Sequence, residues 1–195
     1  VGQPPELSPL LQKALTLHQE GNLEGAAAAY EEILQMVPRA ARIRSNLGAV
    51  YAQLGRYDDA IDQYRTALTA LTDGEGELAV RQNLAIAMQK AGRVAAARDE
   101  AAWILARQPD NLDVRLLLAD SLVRLGAYED AVEVLEPAAA TAPDDRAVAY
   151  LLGNALVALG RMSEAEVVME RVFRHDSPEG HLLLASMNAQ RGNCA

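Results

Sequence analysis

Five glycines, Gly21, Gly55, Gly92, Gly126 and Gly160, stand 34, 37, 34 and 34 residues apart, and Gly192 follows after a further 32. A period of this length marks one supersecondary unit copied along the chain, each copy burying its apolar face against its neighbours. Further columns keep the same phase. Alanine lies five residues after each of the first five glycines, at Ala26, Ala60, Ala97, Ala131 and Ala165. A small residue precedes each glycine by seven: Ala14, Gly48, Ala85, Ala119, Gly153 and Ala185. Leu47, Leu84, Leu118, Leu152 and Leu184 come just before these, with Lys13 as the exception.

Two more columns carry large residues. Leu17, Tyr51, Met88, Leu122 and Leu156 stand four before the glycines, and Asn188 breaks the series. Tyr30, Tyr64, Ala101, Leu135 and Met169 stand nine after. Pro38, Pro109 and Pro143 lie seventeen after, Thr72 takes that place in the second unit, and Pro178 comes one residue late in the fifth. Small residues let two helices approach closely while leucines and aromatics fill the space between them. A glycine ends the first helix in a left-handed cap. Acids such as Glu24, Asp58, Asp59, Glu129, Asp130 and Glu164 then open the second helix, where they complement its dipole. Proline stops the second helix. The columns therefore predict antiparallel helix pairs, an all-α chain.

The run from Asn46 through Leu47-Gly48, Tyr51 and Gly55 to Ala60 resembles the tetratricopeptide repeat family. The resemblance covers about nine-tenths of the chain, because several columns recur together. It divides the chain into frames 7–40, 41–74, 78–111, 112–145 and 146–179, with a partial sixth at 180–195, all in one domain. It implies a solenoid, a right-handed superhelix with the first helix of each pair on its inner face. Gly74-Glu75-Gly76 is a three-residue insertion, read as a longer loop. The sixth unit has an apolar first helix, Leu182 to Met187, with no second helix after it. Val1 to Glu6, with Pro4-Pro5, reads as an extended lead-in.

Charge narrows the partners. The chain has 27 acids against 18 basic residues, a net charge of -9 and a pI near 4.8. This argues against nucleic acid and anionic membranes, which attract basic faces. No apolar run nears the ~20 residues of a membrane span. The single cysteine, Cys194, makes no internal disulfide. The Ala-, Leu- and Arg-rich composition points to a bacterial source. The expected place is the cytoplasm, or an exported compartment if a leader is removed before Val1.

Catalytic and metal-binding patterns are not found, and no cofactor is expected. His18, His175 and His181 have no zinc-like spacing. His175-Asp176-Ser177 holds triad residue types, but adjacent residues do not reach triad geometry, so a helix-end loop is the better reading. The acidic pairs Glu31-Glu32, Asp58-Asp59, Asp99-Glu100 and Asp144-Asp145 read as solvated faces. Trp103 reads as a partly buried packing residue.

The resemblance places a ligand groove on the first helices. There it brings Arg42, Asn46, Gln82, Asn83, Lys90, Tyr150 and Asn154, with Leu116, Leu117, Leu151 and Val157 nearby. Asn46 and Asn83 occupy corresponding positions, resembling the asparagine ladder of peptide-binding members, since an amide both donates to and accepts from an extended backbone. Residues 39–56 and 78–93 contain seven basic residues and no acid, so units two and three are expected to present a locally positive inner surface. Arg42 and Asn46 fit part of a carboxylate clamp, but its two-lysine pattern is absent. The expected function is a non-catalytic scaffold holding a peptide or protein segment. The alternatives are a self-assembling module, associating through its C-terminal end, or the regulatory part of a larger, possibly enzymatic, protein.

Overall fold

The computed structural model describes residues 7–71 and 76–173. The lead-in, most of the insertion, His175-Asp176-Ser177, the sixth unit and Cys194 lie outside the described residues. Ten helices and no strands occur among the described residues. They are α1 (Leu7–Gln19), α2 (Leu23–Met36), α3 (Ala41–Gln53), α4 (Tyr57–Ala70), α5 (Glu77–Lys90), α6 (Val94–Leu105), α7 (Leu112–Leu125), α8 (Tyr128–Thr141), α9 (Arg146–Ala158) and α10 (Met162–Phe173). The chain divides into two compact units, Val1–Ile104 and Leu105–Ala195. In the first, α1 packs on α2, α2 on α3, α3 on α4 and α4 on α5. In the second, α7, α8, α9 and α10 pack in succession, and α7 also meets α9.

The glycine column works as its spacing predicts. Gly21, Gly55, Gly92, Gly126 and Gly160 all have φ between 73° and 78°. The residue after each donates its N–H to the carbonyl five positions back: Asn22 to Leu17, Arg56 to Tyr51, Arg93 to Met88, Ala127 to Leu122 and Arg161 to Leu156, at 2.8–2.9 Å. That bond satisfies a carbonyl the helix end would leave bare. The acceptors are the large-residue column, so one segment both fills the core and closes the turn. The small-residue, alanine and nine-after columns are buried wherever described.

Helix starts differ between repeats. Asn111 and Asp145 cap α7 and α9 by accepting from Val114 N at 3.1 Å and Val148 N at 2.9 Å. Ala40, the corresponding residue before α3, has a similar backbone (φ -71°, ψ 90°) but no side-chain acceptor. Ala40→Asn is therefore expected to stabilise the protein by about 1 kcal/mol. An unchanged urea midpoint would show that the α3 amides are already satisfied.

Pro137 lies inside α8, where the repeat pattern predicts no interruption. It has no N–H for the helix ladder. One turn earlier in the same helix, the Val134 carbonyl accepts from Arg115 Nη1 at 2.7 Å.

Candidate functional site

Arg42 and Asn46 line one small cavity with Ala41, Ser45, Leu71, Gly76, Ala79 and Val80, about 190 Å³ in volume. It lies in the first unit, where α3 comes beside α5. Its floor is mostly aliphatic, and its polar groups are the Arg42 guanidinium, the Ser45 hydroxyl and the Asn46 amide. Gln82, Asn83 and Lys90 lie on α5, with Asn83 and Lys90 exposed and Gln82 half-buried. Ile86, between them, is 41% exposed and extends this face with apolar surface. Tyr150 and Asn154 belong to the second unit, on α9, the tyrosine 42% exposed and the asparagine half-buried. Ser45 arises from the same repeat register as Arg42 and Asn46, whereas Ala79 and Val80 are added by the packing of α5 against α3.

Asn46 also faces inward. The Tyr30 hydroxyl is buried and lacks a hydrogen bond of normal geometry. Burial raises its pKa, and the neighbouring Asn46 amide draws it part of the way back. Asn46 thus stands between a core phenol and the cavity. Buried polar atoms in native proteins nearly always find partners. The nine-after column names Tyr30 from sequence, but nothing local shows that its hydroxyl ends near Asn46.

Three of the seven basic residues in the two acid-free windows are neutralised by ion pairs. Arg56 pairs with Asp59 and Arg93 with Asp58, each at 2.7 Å. Arg81 pairs with Glu77 at 2.9 Å and Glu100 at 2.7 Å, and its guanidinium covers the half-buried Trp103 ring at 4.1 Å. Arg44 donates to the Pro38 carbonyl and to Gln63 Oε1, both at 2.9 Å. Arg39, Arg42, Arg44 and Lys90 remain without an ion pair among the described residues. The acid-free windows concealed this because the counter-ions lie just outside them, at Asp58, Asp59 and Glu77, or on the next helix, at Glu100. Likewise, the acidic pairs are not merely solvated: Glu31 accepts from the Tyr51 hydroxyl, and Asp99 pairs with Arg98. Leu151 and Val157, read as groove positions, are buried in the core.

Arg44, Arg81 and Arg115 show a recurring device that the sequence reading missed. Each stands at the fourth residue of its frame and bonds a residue nineteen positions on, in the second helix: Gln63, Glu100 and Val134. Their spacing of 37 and 34 was visible in the sequence.

Among the described residues, no group of His, Cys, Asp and Glu is placed to hold a metal ion. No described helix is long and apolar enough to cross a membrane.

Family models described as tetratricopeptide repeat match residues 11–75, and 101–153 with 122–187. No curated protein matches the sequence. Among solved structures, a crystal structure of MamA protein superposes with a TM-score of 0.77 at 18% identity, covering 97% of this chain and 96% of that one. MamA 41-end from Desulfovibrio magneticus RS-1 gives 0.77 at 14% identity, with 100% of both chains covered. YrrB, described as a TPR protein with an unusual peptide-binding site, gives 0.71 at 19% identity, covering 94% of this chain and 91% of that one. At these identities the likeness concerns the fold.

Proposed function

Because the chain belongs to the tetratricopeptide repeat family, we propose that it is a non-catalytic adaptor holding a peptide or extended protein segment against its first helices. The observation that carries this reading is the α3–α5 cavity, with an aliphatic floor and Arg42, Ser45 and Asn46 at its polar side. An apolar hollow with a few convergent polar groups suits one small ligand side chain and the backbone beside it. The asparagine amides pair with that backbone. Arg42 and Lys90, without an ion pair among the described residues, attract acidic groups and set the register. Ile86 adds apolar contact along α5. Gln82 extends the amide row, and Tyr150 and Asn154 offer a second contact region in the other unit. The peptide-binding site described for YrrB is consistent with this use of the fold.

The test is selection of peptides displayed on phage, followed by affinity measurement on the winners. Asn46→Ala combined with Asn83→Ala is expected to weaken the selected peptides about tenfold or more, equivalent to about 1.4 kcal/mol. Circular dichroism melts check that both proteins are folded. Selected peptides bound equally by wild type and the double variant would remove the asparagine ladder, and a failure to select any peptide would count against the groove.

A further inference from the structure

On the other side of α3 lies a second cavity in the first unit. It has a volume of about 520 Å³ and is lined by Pro38, Arg39, Arg44, Thr66, Thr69 and Ala70. It shares no residue with the cavity of the proposed peptide groove. Two guanidiniums border it and, among the described residues, no carboxylate does. Arg44 is fixed in place, since Nε donates to the Pro38 carbonyl and Nη1 to Gln63 Oε1. Its Nη2 makes no hydrogen bond among the described residues. Arg39 is exposed and makes no ion pair among the described residues. Thr66 Oγ1 donates to the Asp62 carbonyl and Thr69 Oγ1 to the Thr66 carbonyl, each at 2.8 Å. Their protons are committed, and their lone pairs are left to accept from a ligand.

The chain holds its own comparison. The corresponding cavity in the second unit, about 380 Å³, is lined by Pro109, Asp110, Leu112, Arg115, Pro137, Ala138, Thr141 and Ala142. There Asp110 stands where Arg39 stands, and Pro137 where Thr66 stands. Arg115 spends Nη1 on the Val134 carbonyl and Nη2 on the Pro109 carbonyl. That cavity carries a carboxylate of its own and has engaged both terminal nitrogens of its arginine. Among the described residues, the first cavity has done neither. A guanidinium held by two acceptors, with donors to spare and a second cation at the rim, is arranged for a charge-assisted bond to an oxyanion. The net charge of -9 does not prevent this, because at physiological salt fields fade within about 8 Å.

We propose that the cavity between α3 and α4 is an oxyanion site, gripping a carboxylate or phosphate group between Arg39 and Arg44. The threonine oxygens then accept from a peptide N–H or from a protonated phosphate oxygen on the same ligand. This site lies beyond the peptide groove and stands without it.

Titration followed by nuclear magnetic resonance tests the proposal, using inorganic phosphate in one arm and an oligoglutamate peptide in the other. A saturable shift of the Arg44 Nε–H and of the Thr66 and Thr69 amides is expected in at least one arm. Phosphate alone giving it would identify a free anion as the ligand, and the peptide alone an acidic protein segment. Arg39→Asp imports the residue of the second cavity at an exposed position, and is expected to weaken binding at least tenfold. The Asn46→Ala, Asn83→Ala protein is expected to bind as wild type does, which separates this site from the groove. No saturable shift in either arm, or equal binding by the Arg39→Asp protein, overturns the site. Loss on Arg42→Ala but not on Arg39→Asp overturns it too, by moving the anion to the groove.

Discussion

Gly48→Ala should lower stability by about 2 kcal/mol, while Gly153→Ala should change it by less than about 1 kcal/mol. Both glycines sit in the small-residue column, inside helices α3 and α9. A Cβ on Gly48 would meet Tyr64 Cε1 at 2.8 Å and Cδ1 at 3.0 Å. The Tyr64 ring is rigid and buried, so α3 and α4 must separate to admit the methyl group. A Cβ on Gly153 would meet Met169 Cε, a shorter approach to a softer neighbour. Methionine has three rotatable bonds and re-routes its end at small cost. Alanine also returns up to about 1 kcal/mol of helix propensity at both sites. For Gly153 that gain cancels much of the repacking. For Gly48 the ring contact outweighs it. The first repeat carries Ala14 and Tyr30 at the same two positions, so the fold admits the pair with a modest shift, and this limits the cost. Urea unfolding of the two variants decides the matter, and equal losses would refute the distinction between rigid and flexible neighbours.

Stability is expected to fall steeply between pH 10 and pH 12. Burial pushes the Tyr64 hydroxyl up to about 12. Burial also raises Tyr51 to about 12, helped by its hydrogen bond to Glu31 and by that carboxylate's charge, against the pull of the Arg56 guanidinium 4.2 Å from the ring centroid. An unfolded tyrosine titrates near 10. Below pH 10 both states hold both protons and stability is unaffected. Above it the unfolded chain has released protons that the native state keeps, so unfolding is favoured as pH rises through the folded values. At about 1.4 kcal/mol per unit, each tyrosine costs roughly 2–3 kcal/mol by pH 12, and the pair about 5. Urea midpoints at successive pH values measure the slope, and Tyr64→Phe should remove about half of it. A flat profile to pH 12, or phenolate absorbance showing Tyr51 and Tyr64 ionised in the folded protein near pH 10, would contradict this.

The repeat, the helix pairs and their turns were legible in the sequence because each depends on groups within a few residues. The bond from Arg56 to the Tyr51 carbonyl spans five positions and needs only Gly55 in the left-handed region. The buried columns follow from the same short-range geometry, since one helix face recurs every three or four residues. Arg42 and Asn46 could be placed on one surface for that reason.

Other features had no local signal. Arg81 looked like a free charge until α6 brought Glu100 and Trp103 to it. Asn46 reads as a groove amide in the sequence, and only the packing of α2 shows that the Tyr30 hydroxyl lies beside it as well. Arg39 and Asp110 hold the same place in their repeats, and only the neighbouring helices show that one lines a cavity with no carboxylate among its described residues while the other supplies one. Sequence alone determined the period, the all-α class and which repeat columns are buried, because hydrophobic spacing and backbone caps act at short range. Tertiary structure decided how the interhelical charges and donors are spent, because a Coulomb or hydrogen-bond partner is chosen by distance in space, and the partners of Arg44, Arg93 and Arg115, with the α6 partner of Arg81, lie 19 to 35 residues away along the chain.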